Sequence, residues 1–146
     1  MIKIYTHPTC SSSKKAVEWI RNHELDYEEI DLITGDISKE DFLNILSLTE
    51  EGTEEIISKR SQAYKNLNID FDNISLNELL DLMNENRTLL RRSLVVDDKR
   101  LQVGYNEDDV RKFLPRKVRR VELEEAFDNV RLFNLEREQL EQLNIA

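Results

Sequence analysis

Residues 5–15 read Tyr5-Thr6-His7-Pro8-Thr9-Cys10-Ser11-Ser12-Ser13-Lys14-Lys15. The residues before this segment alternate like a half-buried strand, and apolar side chains recur at helical spacing from Ala16 to Ile20. Cys10, the only cysteine, is therefore predicted to lie in the turn between a strand and a helix. A lone cysteine is more often a small buried apolar residue. At a helix start, with Lys14 and Lys15 adding positive charge, we favour a reactive thiol over that alternative.

Length and composition restrict the class of protein. A chain of 146 residues fits one domain with a proper core. No apolar run approaches the roughly 18 residues that span a bilayer, and no signal-peptide pattern is present, so we expect no membrane segment. One cysteine cannot build an intramolecular disulfide framework, and a reducing cytoplasm is the expected location. No second cysteine or acidic residue stands at metal-ligand spacing from His7 or His23, so we expect no metal. We expect no cofactor either.

Charge is unevenly distributed along the chain. The net charge of −9 argues against general coating of nucleic acid. Residues 111–120 nevertheless carry six basic side chains and no acidic one. Such a cluster is usually a solvated face or a complement to helix C-termini. The alternative is a patch for an acidic protein surface or for phosphates, and both interpretations stay open.

Further segments predict a mixed sheet with helices around it. Residues 27–32 read as a second strand, which a helix over 13–23 connects in parallel to the first. Residues 94–96 and 101–103 form a predicted hairpin. The fold class is therefore α/β, with a mixed β-sheet flanked by helices. The centre, roughly 35–90, has a helical pattern and no strand signal, which indicates an insertion between two halves of the sheet.

Capping residues place the helices. Ser38 begins one helix, which should stop at 49–52, where Gly52 can take a positive φ. Thr53 is predicted to cap a helix running toward Leu67, and Ser75 to cap the next. Asn106 is predicted to cap a helix that Pro115 ends.

The predicted organisation is a single domain over 1–118 and a charged, largely helical tail over 119–146. Apart from the C-terminal helix, no unpaired apolar stripe in the sequence suggests self-association. We therefore expect a monomer.

The pattern Y-T-x-P-x-C-x-x-x-K-K resembles the Spx family, in the ArsC/Spx branch of the thioredoxin-like fold. Residues 49–58, 89–92, 99–108 and 113–119 also look like signature blocks of that family. The resemblance implies a stress-responsive transcription regulator that binds the C-terminal domain of the RNA polymerase α subunit. Promoter DNA would be contacted only as part of that complex. Proteolysis through the C-terminal tail would keep the protein scarce.

Two residues depart from the family pattern. Most Spx proteins carry a second cysteine where this chain has Ser13, so its single thiol can reach only a sulfenic acid or a mixed disulfide. Ser93 replaces a proline whose peptide bond is cis in the family. A cis bond before a non-proline residue costs about 2.5–4 kcal/mol, so this bond is either trans or strained. Losing both residues favours a natural paralogue over an engineered variant.

The resemblance also assigns roles to residues. Gly52 matches a glycine at the polymerase-contacting surface, although a helix stop alone would also favour glycine there. Arg92 matches an arginine that couples the cysteine end to that surface, although a surface salt bridge would also explain it. In arsenate reductases the equivalents of Arg60 and Arg92 hold the oxyanion. The third arginine of those enzymes is missing near Gly104, and we therefore discount turnover.

The resemblance predicts binding to the α subunit that persists in reducing conditions. Two other functions are possible alternatives to this one. The first is an ArsC-like arsenate or thiol reductase, with Cys10 as nucleophile and an external thiol to resolve the adduct. The second is an antagonist that occupies the α subunit in competition with a disulfide-competent sibling.

Overall fold

The computed structural model describes the backbone of residues 1–145 and the side chains of residues 1–143. Contacts divide the chain into two units, Met1–Phe113 and Leu114–Ala146. The first unit contains the sheet and all helices but the last, and the second contains a single long helix.

The sheet has four strands: β1 (Ile2–Thr6), β2 (Tyr27–Asp31), β3 (Leu94–Val96) and β4 (Leu101–Val103). Their order across the sheet is β2-β1-β3-β4. β1 runs parallel to β2 and antiparallel to β3, with Ile4 opposite Val95, and β3 and β4 form an antiparallel hairpin. The predicted mixed α/β sheet is therefore confirmed.

The helices are α1 (Ser11–Asn22), α2 (Lys39–Ser47), α3 (Gln62–Leu67), α4 (Leu76–Glu85) and α5 (Arg116–Ile145). α1 is the crossover between β1 and β2, and it begins two residues earlier than predicted. α2, α3 and α4 lie between β2 and β3, which confirms a helical insertion within the sheet. Across residues 1–145, no helix combines the length and the apolar composition that crossing a bilayer requires.

The predicted helix from Thr53 toward Leu67 is wrong. Thr53–Glu55 forms only a 3-10 turn, and Ile57 then pairs with Leu90 in an isolated antiparallel bridge. The Ser58 amide donates to the Leu89 carbonyl and the Arg91 amide to the Ile56 carbonyl, both at 2.8 Å. These long-range bonds replace the helical ones, and α3 starts separately from a Ser61 cap.

Two helix ends also differ from expectation. Ser38 and Asp41 form a capping box as predicted, with bonds of 3.1 and 3.2 Å. However, α2 ends at Ser47, and Gly52, at φ 95°, precedes the 3-10 turn instead of closing α2. Asn106 accepts the amides of two following residues, but the segment that it caps, Asp109–Phe113, is a 3-10 helix.

The sheet has an apolar core on each face because successive strand residues point in opposite directions. One core lies against the insertion and includes Tyr5, Phe42, Ile56, Met83 and Leu94. The other lies against α1 and includes Ile4, Ala16, Ile20, Val95 and Val110. α1, and with it the cysteine loop, is thus fixed against the end of β1.

Candidate functional site

The cysteine loop joins the end of β1 to the start of α1. Cys10 is the N-cap residue of α1 with extended backbone angles, which confirms its place in the turn, and its amide donates to the His7 carbonyl at 3.0 Å. The Ser13 hydroxyl is buried and accepts the His7 amide at 3.1 Å. Ser13 therefore closes the loop as a structural residue.

The Cys10 thiol is partly exposed and lies 3.0 Å from the hydroxyl of Ser12. Burial by itself would raise the pKa of Cys10, but hydrogen bonds from the side chains and backbone amides of Ser12 and Ser13 outweigh it and lower the pKa. The two serines thus stabilise the thiolate. The sequence predicted that free amides at the helix start, with Lys14 and Lys15, would stabilise the thiolate, but it did not indicate the contribution of the two hydroxyls.

This local stabilisation leads to a prediction about alkylation. The rate of Cys10 alkylation should rise with pH through a pKa below that of a free cysteine, because the thiolate is the reactive form. Ser12→Ala removes one stabilising hydrogen bond, so the rate profile should move to higher pH. Iodoacetamide kinetics from pH 5 to 10 measure both profiles, with Ser11→Ala as a control that should match the wild type. If the alkylation rates of Ser12→Ala and the wild type had the same pH dependence, the hydrogen bond from Ser12 would not be the cause of the lowered pKa.

The two predicted anion-binding residues, Arg60 and Arg92, line one cavity of about 680 Å³. Arg91, which the sequence did not single out for this role, lines it too, and its Nε donates to the Ile57 carbonyl at 3.2 Å. Gly104 forms another part of the wall. Clustered guanidinium groups favour an anion. Cys10 is not among the residues that line this cavity.

Gly52 lies on a different, open surface. Its backbone, with φ 95° and ψ −151°, is in a region that essentially only glycine adopts. A Cβ added there would meet no atom within 4 Å. The carboxylate of Glu55 accepts the amides of Glu50 and Glu51, both at 2.8 Å, and holds this turn in shape. The space beyond Gly52 is thus open, and the exposed side chains of Glu50 and Glu51 lie beside it in the sequence.

Ser93 occupies the position of the family proline. The peptide bond before it is trans, since no cis bond occurs within residues 1–145, and this decides between the two expected alternatives. The side chain is fully buried with no partner for its hydroxyl, while its carbonyl accepts the Gly104 amide at 2.7 Å.

The remaining predicted features concern metals and the tail. In the described part of the chain, no group of three histidine, cysteine or acidic side chains could hold a metal ion. Protease recognition was expected through the C-terminal tail, residues 119–146. Ala146 and the side chains of Asn144 and Ile145 lie outside the described residues.

Known proteins match this chain over most of its length. The ArsC family model matches residues 5–113. The global transcriptional regulator Spx of Lactiplantibacillus plantarum is 52% identical over 123 residues, which cover 84% of this chain and 93% of that protein. The regulator of the same name from Enterococcus faecalis is 48% identical over 126 residues, covering 86% and 96%.

Solved structures agree on the fold. An arsenate reductase from Vibrio cholerae superimposes with a TM-score of 0.65 at 24% identity, covering 77% of this chain and 97% of that chain. A Staphylococcus aureus protein solved by NMR gives the same values. At this level of identity the likeness supports the thioredoxin-like fold alone. The family matches go further: this chain belongs to the ArsC family, and within it to the Spx group of transcriptional regulators.

Proposed function

We propose that this protein regulates stress-responsive transcription in the cytoplasm by binding the C-terminal domain of the RNA polymerase α subunit through the surface around Gly52. The observation that carries the proposal is the open space at Gly52, where a partner can approach the backbone closely. Glu50, Glu51 and Glu54 are exposed beside it, so a partner with basic residues would be complementary. Promoter DNA is contacted only within that complex.

Binding does not require an intramolecular disulfide. Ser13 occupies the position of the resolving thiol, and its hydroxyl, which accepts the His7 amide and hydrogen-bonds Cys10, cannot form a disulfide. Arg92 is exposed on the basic cavity, and it is the residue to which the family resemblance assigns coupling between the cysteine end and the docking surface. Regulation then acts through abundance, by proteolysis at the C-terminal tail, and through external modification of Cys10.

A titration with the purified α C-terminal domain under reducing conditions tests this proposal. The wild type and Cys10→Ala should bind equally. Gly52→Arg should bind at least about tenfold more weakly, which corresponds to about 1.4 kcal/mol. Isothermal calorimetry measures all three affinities.

Gly52→Ala is the matched control for Gly52→Arg. Both variants place an L side chain at the same positive φ, so both incur the same backbone strain, but only arginine projects bulk toward a partner. Gly52→Ala should therefore keep most of the affinity. No binding of the wild type at tens of micromolar, or equal binding of Gly52→Arg, would end the proposal.

A reductase activity is the second candidate, because the lowered pKa of Cys10 supplies a nucleophile. The Cys10 thiolate would bond to the arsenic of arsenate and displace one oxygen as water. The thiol of glutathione or a redoxin would then attack the Cys10 sulfur, so that the sulfur–arsenic bond breaks, its electron pair leaves with arsenite, and a mixed disulfide remains. A second external thiol would reduce that disulfide and restore the Cys10 thiol. The arginine cavity argues against this activity, since Cys10 does not line it. Arsenite formation that disappears in Cys10→Ala would establish the reductase, and no formation above background would exclude it.

A further inference from the structure

A groove of about 360 Å³, here called the aromatic groove, lies between α1 and the loop that follows β4. Its lining combines two aromatic rings and two carboxylates with one basic and one amide side chain. These residues are Lys15, Glu18, Trp19, Asn22, Tyr105 and Glu107. The groove shares no residue with the basic cavity, and no function described above uses it.

The two aromatic walls are held by the rest of the fold. Trp19 and Tyr105 are each partly buried against the core that lies along α1. The indole of Trp19 also stacks on the ring of His23, with 4.0 Å between the ring centres. Side chains that are already held in place lose little freedom when a ligand binds, so the groove is pre-organised.

The loop after β4, which carries the second aromatic wall, is anchored on both sides of that residue. The amide of Gly104, which has φ 76°, donates to the Ser93 carbonyl at 2.7 Å. The side-chain amide of Gln102 donates to the Asn106 carbonyl at 3.2 Å. The fold therefore sets the position of Tyr105, which lies between these two anchors.

The carboxylates make the aromatic groove acidic. Among the side chains of residues 1–143, neither Glu18 nor Glu107 has a hydrogen-bond or ion-pair partner. Burial raises the pKa of Tyr105, and the charges of Glu107 and Glu18 raise it further, so both carboxylates act on the same ring. Residues 107–109 are all acidic and exposed, whereas Lys15 is the one cation among the six lining residues.

We propose that the aromatic groove binds an arginine side chain from a basic segment of a partner protein. A guanidinium group is planar, so it stacks on aromatic faces while it donates hydrogen bonds to carboxylates. Trp19 and Tyr105 supply the faces, and Glu18 and Glu107 supply the acceptors. The carboxylates would repel nucleic acid, and an apolar ligand would leave them unpaired. The inference does not depend on the polymerase proposal, because Gly52 does not line this groove.

NMR of the full chain labelled with ¹⁵N tests this site, because Trp19 is the only tryptophan and its indole N–H gives a single signal. A capped pentapeptide with two arginines spaced by glycines should shift that signal saturably, with a sub-millimolar dissociation constant. The same peptide with citrulline in place of arginine keeps the shape without the charge, and it should cause no saturable shift up to about 5 mM. The lysine version should bind at least about threefold more weakly, because an ammonium does not stack on a ring.

Substitutions test which residues hold the peptide. Glu107→Gln and Tyr105→Leu should each weaken binding at least about fivefold, since one removes a carboxylate and the other a ring face. Glu28→Gln is the matched control, because it removes the same charge from an exposed position on β2 outside the groove. It should change the dissociation constant less than about twofold. Circular dichroism should show the same helix content in all three variants.

Three results would overturn the proposal. The first is no saturable shift of the Trp19 signal, or an equal shift with the citrulline peptide. The second is an equal loss of affinity in Glu107→Gln and Glu28→Gln. The third is a Trp19 signal that moves with protein concentration in the absence of peptide, since a second copy of this chain would then fill the groove.

Discussion

Replacing Ser13 with cysteine should give this protein an intramolecular disulfide that the wild type cannot form. Residues three apart at a helix start face each other. Cys10 is already biased toward the thiolate by Ser12, which remains in the variant. After mild peroxide treatment, the two titratable thiols of Ser13→Cys should fall to none, and the intact mass should drop by about 2 Da as the pair is oxidised. The wild type should gain oxygen or form a mixed disulfide instead.

Ser11→Cys is the matched control for this prediction. It also places a second thiol in the first turn, but adjacent Cα atoms lie about 3.8 Å apart, below the span that an unstrained disulfide needs. Its thiols should stay open under the same treatment. In the reduced state Ser13→Cys should be about 1 kcal/mol less stable, because the His7 amide loses a good acceptor. Two free thiols after oxidation of Ser13→Cys would show that the loop holds these side chains apart.

Removing the side chain of Arg87 should destabilise the first unit by about 2–4 kcal/mol. Its guanidinium donates to the carbonyls of Leu32 and Gly35, at 3.1 and 3.0 Å, and to the side-chain and backbone oxygens of Asn84 at 2.7 and 3.1 Å. It also lies 5.6 Å above the centre of the Phe42 ring. Arg87→Ala therefore removes the hydrogen bonds that connect the loop after β2 to the end of α4. The urea concentration at the midpoint of unfolding should be clearly lower than for the wild type.

Lys39→Ala is the control for Arg87→Ala. It removes an ion pair with Asp81 of 3.0 Å between two side chains that are more than half exposed, which should cost less than about 1 kcal/mol. Arg87→Lys should recover little, because an ammonium cannot reach the same set of oxygens. A midpoint for Arg87→Ala equal to that of the wild type would mean that these bonds contribute nothing net over bonds to water.

Local sequence signals were sufficient to predict those parts of the fold that depend on residues close together in the chain. The Ser38 capping box, the hairpin of β3 and β4, and the place of Cys10 before α1 were all predictable because caps and turns involve residues within a few positions. The positive φ of Gly52 belongs to the same class. Only its assignment as a helix end failed, since α2 had already finished.

Distant pairings explain what the sequence could not indicate. Ile56 and Ile57 fit a helical pattern, yet their backbone bonds go to residues 89–91, more than 30 positions later. The contacts of Arg87 with Leu32 and Gly35 span more than 50 positions. At the site, Ser12 and Ser13 have the sequence pattern of ordinary polar residues at a helix start. Which hydroxyl approaches the Cys10 sulfur depends on the folded loop, and the sequence does not indicate it.

The position of β1 in the sheet also governs when the chain can fold during synthesis. β1 leaves the ribosome first, but its antiparallel neighbour β3 is about 90 residues later, with Lys3 opposite Val96. At about 5–20 residues per second, the nascent N-terminal half waits roughly 5–20 s for that strand. During this interval Ile4 and Tyr5 lack their partners Val95 and Leu94 on β3. Newly made chains are therefore open to chaperones and proteases until β3 has been synthesised.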